Sequence, residues 1–283
     1  MLLLKKINYQ ELQINNQFKY FIMATNSKNI VFITGAFVSN ACWDNWRIYF
    51  ESKGYRTIAP AWPYKDGSAE ELRNRQPHDT ALGTLTIKEV IDSYIKVVKS
   101  FTEKPIVIGH SFGGLITQII CNRGYAEAGV AIHSVPPLGI FPYEFSFLRS
   151  TWGALGLFTS VKKTYLMSFK TWQYAFTNGM PLSEQEEAYL KYAIPESKTV
   201  SRGGLSKEAK VDFKKSPAPL LLTSGSDGTI IPAHLVKREY QKYIDAGNTK
   251  VSYKDFPGRN HFVLGQKTWK EDADYILDWL DNL

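Results

Sequence analysis

Six residues, Gly109-His110-Ser111-Phe112-Gly113-Gly114, constrain this chain more than any others. They stand between a short apolar run, Pro105 to Ile108, and a helical pattern from Gly113 to Asn122. A strand that turns directly into a helix within so few residues needs a strained backbone at the turn. It also needs small residues two positions to either side, and a Gly-x-Ser-x-Gly pattern supplies both. The turn lifts the serine hydroxyl out at the carboxyl edge of a sheet. The helix start behind it offers free N–H dipoles to a developing negative charge. Ser111 is therefore the candidate nucleophile.

The rest of the chain reads as an alternation of short β-rich runs and helices, the pattern of a parallel sheet covered on both faces. Strands are expected at Asn29–Thr34, Arg56–Ala59, Pro105–Ile108, Gly129–Ile132, Pro219–Thr223 and Val251–Phe256. Trp43 to Lys53 reads as a helix burying Trp43, Trp46 and Phe50. Capping boxes, in which the first and fourth residues satisfy each other's free N–H groups, are expected at Thr86/Glu89 and Thr268/Glu271. Pro232 opens a helix that runs to Ile244. Residues 136–215 break the alternation. They are rich in aromatics, from Phe141, Phe145 and Phe147 through Trp152 and Phe158 to Trp172 and Phe176, and read as an inserted helical cap. The division expected is thus 1–28 as a hairpin or an unstructured leader, 29–135 as the first part of an α/β core, 136–215 as the cap, and 216–283 as the second part of the core.

A serine hydroxyl needs a base to take its proton. Of five histidines, His261, in the loop after the last strand, is the one such a sheet returns over the turn. His110 points away from the serine within the turn, and His133 follows a strand where it could line the pocket. An acid to orient the base belongs after the strand near residue 222, where Asp227 is the loop's only acid. Two main-chain N–H groups are needed for an oxyanion. Phe112 supplies one, and Ala36, with Phe37 as second choice, supplies the other.

With these residues in place the sequence resembles the α/β-hydrolase superfamily from about Asn29 to Trp279, in its capped, esterase-like branch. The resemblance implies an α/β-hydrolase fold: a mostly parallel sheet, helices on both faces, an inserted helical cap and the chain order Ser, Asp, His. The segment Phe256-Pro257-Gly258-Arg259-Asn260-His261-Phe262 carries it too. Two departures stand out. Thr34-Gly35-Ala36 replaces the family's His-Gly-Ala, and the position four residues before Pro232, where the family places its aspartate, holds Gly228. Ser111 at the turn argues against haloalkane dehalogenase and epoxide hydrolase chemistry, which uses an aspartate there.

The activity this implies is hydrolysis of a small, partly apolar ester through an acyl-enzyme, with no cofactor and no metal. A lyase or acyltransferase on the same triad, or a non-catalytic ligand-binding member of the fold, are the alternatives. The net charge of +7 is scattered and reads as a solvated surface, so no nucleic-acid partner is expected, and a mild preference for anionic substrates is left open. Cys42 and Cys121 form no framework, and no apolar run approaches a membrane span. A cytoplasmic protein without membrane partners is expected.

Overall fold

The computed structural model describes residues 27–283. The hairpin or leader expected before residue 29 falls almost wholly outside them. Six parallel strands form the main sheet: β1 (Asn29–Ile33), β2 (Arg56–Ile58), β3 (Ile106–His110), β4 (Gly129–Ile132), β7 (Leu220–Gly225) and β8 (Val251–Phe256). Their spatial order is β2-β1-β3-β4-β7-β8. All four residues of β4 and all five of β3 are buried, as expected for central strands covered on both faces.

Helices follow the strands. α1 (Asp44–Ser52) comes after a 3₁₀ turn at Asn40–Trp43 and packs Trp46 and Phe50 inward beside Trp43. Two short helices, α2 (Ala69–Asn74) and α3 (Thr80–Thr84), follow β2. Asp79 caps α3 by accepting the Leu82 N–H at 3.0 Å. α4 (Ile87–Lys99) has the expected capping box at Thr86 and Glu89. α5 (Phe112–Asn122) begins directly at the serine turn. α10 (Ala233–Asp245) starts after Pro232, and α11 (Trp269–Asp281) ends the chain. The second capping box does not form. Thr268 is already in helical geometry (φ −87°, ψ 0°), and its hydroxyl is buried without a partner. Trp269 continues the chain from there, packed at a tilt against Trp46 with 5.9 Å between ring centroids. Tertiary packing has overridden the local cap.

Between β4 and β7 lie α6 (Phe145–Leu155), β5 (Thr164–Tyr165), α7 (Phe169–Ala175), α8 (Leu182–Tyr192), β6 (Glu196–Ser197) and α9 (Lys198–Gly203). The sequence showed no strand here, yet β5 and β6 pair antiparallel. Two residues per strand are too few for a periodic signal. The segment is sewn to the core next to the serine: Ile194 N–H bonds the Phe37 carbonyl at 2.9 Å, and Ser39 N–H bonds the Tyr192 carbonyl at 2.9 Å.

Candidate active site

Ser111 ends the central strand β3 with φ 59° and ψ −119°, a conformation that costs a non-glycine residue free energy. Close packing explains the glycines around it. A Cβ on Gly113 would lie 2.0 Å from the Ile33 carbonyl oxygen, and one on Gly109 would lie 2.0 Å from the Gly113 oxygen. The helix start is therefore pressed against β1 and β3, and any side chain at either position would force them apart. The Ser111 main chain is fixed by its N–H to Ile132 O at 2.9 Å and by its carbonyl, which accepts from Gly114, Leu115 and Val135.

The loop after β1 runs along the serine. A Cβ on Gly35 would come within 2.8 Å of the Ser111 Cβ. Ala36 and Phe112 border the same cavity as Ser111. No acceptor among the described residues takes the N–H of either, so both remain free to donate. Phe37 is different. Its N–H donates to Glu196 Oε2 at 3.2 Å, and Phe37 itself has φ 68°. Of the two candidates in this loop, Ala36 is thus the one with a donor to offer.

His261 is completely buried in the loop after β8. That loop is held on several sides. Phe262 N–H bonds Phe176 O at 2.9 Å, Asn260 Nδ2 donates to Asn178 O at 2.9 Å, and the Arg259 guanidinium pairs with Asp272 at 2.9 Å. His110 Nε2 lies 2.8 Å from the His261 carbonyl. The ring packs against Phe176 (4.9 Å between centroids), His110 (4.6 Å) and His133 (5.9 Å). Neither of its nitrogens has a hydrogen-bond partner among the described residues, so no hydrogen bond joins the ring to Ser111. Burial, and then the neighbouring imidazoles of His110 and His133, push its pKa well below the usual imidazole range.

Asp227 does not meet His261. Its carboxylate is exposed and accepts the Ser226 hydroxyl at 2.7 Å. Only its main chain reaches toward the base, through Asp227 N–H to Arg259 O at 3.0 Å and Asn178 Nδ2 to Asp227 O at 2.8 Å. The acid sits one residue before Gly228, where a Cβ would lie 2.5 Å from the Ile231 carbonyl oxygen. His133, which the sequence allowed to line the pocket, is instead fully buried behind it at the end of β4, with φ 44°. Its nitrogens are also without partners. Sequence reasoning missed that His110, His133 and His261 form one buried cluster, with a donor atom of each within 4.8 Å of the others. They are far apart in the chain, and only the convergence of β3, β4 and β8 at one sheet edge unites them. This is also the group that could hold a metal ion, although His110 Nε2 already serves the His261 carbonyl.

A cavity of about 260 Å³ opens above Ser111. Its walls are almost wholly apolar and include Phe147, Ala154 and Leu155 from α6, Phe176 beside the base, and Ile230 and Ile231 after β7.

This parallel sheet, with a serine at the β3–α5 turn and a histidine after the last strand, defines an α/β-hydrolase. The chain belongs to the alpha/beta hydrolase family, whose sequence profile matches residues 30–271. Solved structures share the fold at low identity. An extracellular alpha/beta-hydrolase from a Paenibacillus species superposes with a TM-score of 0.65 at 18% identity, over 88% of this chain and 98% of that one. Polyneuridine aldehyde esterase gives 0.62 at 15%, over 90% and 99%. A monoacylglycerol lipase from Paleococcus ferrophilus gives 0.61 at 16%, over 89% and 93%. No curated protein matches the chain. No helix among the described residues is long and apolar enough to cross a membrane.

Proposed function

We propose that this hydrolase is a serine esterase that cleaves an ester of an apolar acyl group through an acyl-enzyme on Ser111. The observation that carries the reading is the left-handed Ser111 at the floor of an apolar cavity bordered by Ala36 and Phe112. His261 takes the Oγ proton as Oγ attacks the ester carbonyl. The carbonyl oxygen gains charge and is held by the Ala36 and Phe112 N–H groups. The intermediate collapses, and the leaving alkoxide departs with the proton from His261. Water then repeats the sequence, giving up a proton to His261 and releasing the acid from Ser111.

The pair Ser111–His261 acts without a carboxylate. His261 is oriented by packing against His110, His133 and Phe176 and by the bonds that hold its loop. Ala36, Phe112 and the apolar wall favour esters over charged substrates. The esterase and lipase among the structural neighbours are consistent with such a substrate class.

A fluorophosphonate probe and a panel of acyl esters of graded length test this. The probe should label wild type at Ser111. Ser111→Ala should escape labelling and lose at least ~10³-fold in kcat, because the covalent route is gone. A folded Ser111→Ala variant with near-normal turnover would overturn the assignment. Chelators should leave the rate unchanged, since ligation of His261 by a metal would remove the base.

A further inference from the structure

The helix α6 carries apolar side chains on both its inner and its outer side. Its inner side lines the Ser111 cavity with Phe147 and Ala154. Its outer side bears Phe145, Leu148 and Trp152, at spacings of three and four residues, all exposed. The patch continues to Leu157 and Phe158, where Phe158 is 88% exposed and lies tilted against Trp152 with 6.2 Å between ring centroids. On the other side it reaches Phe141, which is 72% exposed and also lines the cavity. The apolar surface is thus continuous with the entrance to the serine.

Charge indicates what covers this surface. Between residues 139 and 183 the sequence has four cations, Arg149, Lys162, Lys163 and Lys170, and one acid, Glu144. That acid is buried and paired with Arg238 at 2.8 Å. The segment therefore shows solvent aromatic rings and positive charge, with no exposed carboxylate. Such a face suits the interface of an anionic lipid assembly, where rings enter the acyl boundary and cations meet headgroups.

We infer that the outer face of α6 and the loop through Phe158 dock on an anionic lipid surface, and that the ester substrate, a single-chain acyl lipid, enters the cavity from it past Phe141. The choice of substrate rests on the esterase reading; the docking does not. A peripheral contact of this kind revises the expectation of no membrane partner without any spanning segment.

The full chain would be sedimented with vesicles of phosphatidylcholine alone and of phosphatidylcholine mixed with phosphatidylglycerol. Wild type and Ser111→Ala should both pellet with the mixed vesicles and far less with the neutral ones. The triple variant Phe145→Gln/Trp152→Gln/Phe158→Gln should lose binding by on the order of tenfold or more. It should keep wild-type rates on a short water-soluble ester but lose rate on a long-chain ester dispersed in the mixed vesicles. Wild type remaining in the supernatant would overturn the proposal. So would a dimer by sedimentation velocity that the triple variant dissociates, since the patch would then be covered by a second copy. Loss of labelling at Ser111 with vesicle binding intact would instead sink the esterase reading alone.

Discussion

His110 donates its Nε2–H to the main-chain carbonyl of His261 across 2.8 Å. A carbonyl only accepts, so the proton of His110 must sit on Nε2. Burial pushes its pKa down to about 4, which keeps the ring neutral. His110, next to Ser111, thus holds the loop that carries His261. Replacing it with Phe removes the donor and leaves a buried carbonyl unsatisfied. We expect His110→Phe to lower kcat by on the order of tenfold with KM little changed, because the base is misplaced rather than removed. His110→Gln, whose amide can donate from a similar position, should recover part of the loss. Equal defects in both variants, or a change confined to KM, would remove the positioning role.

The rate should stay level to unusually acidic pH. His261 must be neutral to accept the Ser111 proton, and burial beside His110 and His133 holds its pKa well below that of an ordinary imidazole. The rising limb of kcat/KM should therefore lie below the usual 6.5 of a free histidine. A limb centred at pH 7 on a soluble ester would mean that a carboxylate raises the base.

Asp227→Asn should keep activity within about twofold, since the carboxylate is exposed and bonded to Ser226 rather than to His261. Where a triad acid does hold the imidazole, the same change costs on the order of 10⁴-fold. A loss of that size would restore Asp227 as the acid and imply that its loop rearranges with substrate.

The serine turn, and the place of His261 in the loop after the last strand, were legible because both depend on local pattern at the end of a strand. Gly109 and Gly113 advertise a close approach that no other residue permits. The strands were legible for the same reason: β4, Gly129–Ile132, is a short apolar run between breaks. Asp227 was misread because a one-residue offset in a turn decides which way a side chain faces, and the pattern does not encode the turn. The histidine cluster and the Glu196 contact were illegible because each joins residues more than a hundred positions apart or on different strands. Which aromatics of the inserted segment face out, such as Phe145 and Trp152, was not legible, because α6 carries apolar side chains on both sides.

The three buried histidines should make the fold sensitive to acid. Burial lowers the pKa of His133 to about 3 and that of His110 to about 4, and lowers His261 as well. The unfolded chain takes up these protons near pH 6.5, while the folded chain does not until the depressed values. Each group thus contributes stability that is complete above pH 6.5 and is lost as pH falls toward its folded pKa. Glu239 and Asp272, whose pKa values burial raises, oppose this, so a difference measurement is the clear one. His133 makes no hydrogen bond through its ring, and His133→Phe sacrifices none. The variant should gain on wild type by up to ~1.4 kcal/mol for each pH unit between about 6 and 4 in urea unfolding. A pH-independent difference would show that His133 is not held neutral.

Glu196 joins the inserted segment to the loop that presents Ala36. It is completely buried, and its Oε2 accepts both the Phe37 N–H at 3.2 Å and the Lys65 ammonium. Lys65 is itself buried over the Trp62 ring at 3.8 Å. Desolvation lowers the Lys65 pKa, and the Glu196 charge works against that shift. Glu196→Gln keeps an acceptor for Phe37 but strands a buried ammonium. The cost should be about 3–5 kcal/mol, the usual penalty for removing one member of a buried pair. Glu196→Gln/Lys65→Met removes both charges and should recover most of that stability. If the Phe37 contact is what holds Ala36 toward the serine, the double variant, which retains an acceptor at residue 196, should keep kcat near wild type. Glu196→Leu/Lys65→Met lacks the acceptor, frees the Phe37 N–H, and should lose on the order of tenfold in kcat or more, comparable to a weakened oxyanion donor. Equal kcat in the two double variants would show that the pair serves stability alone.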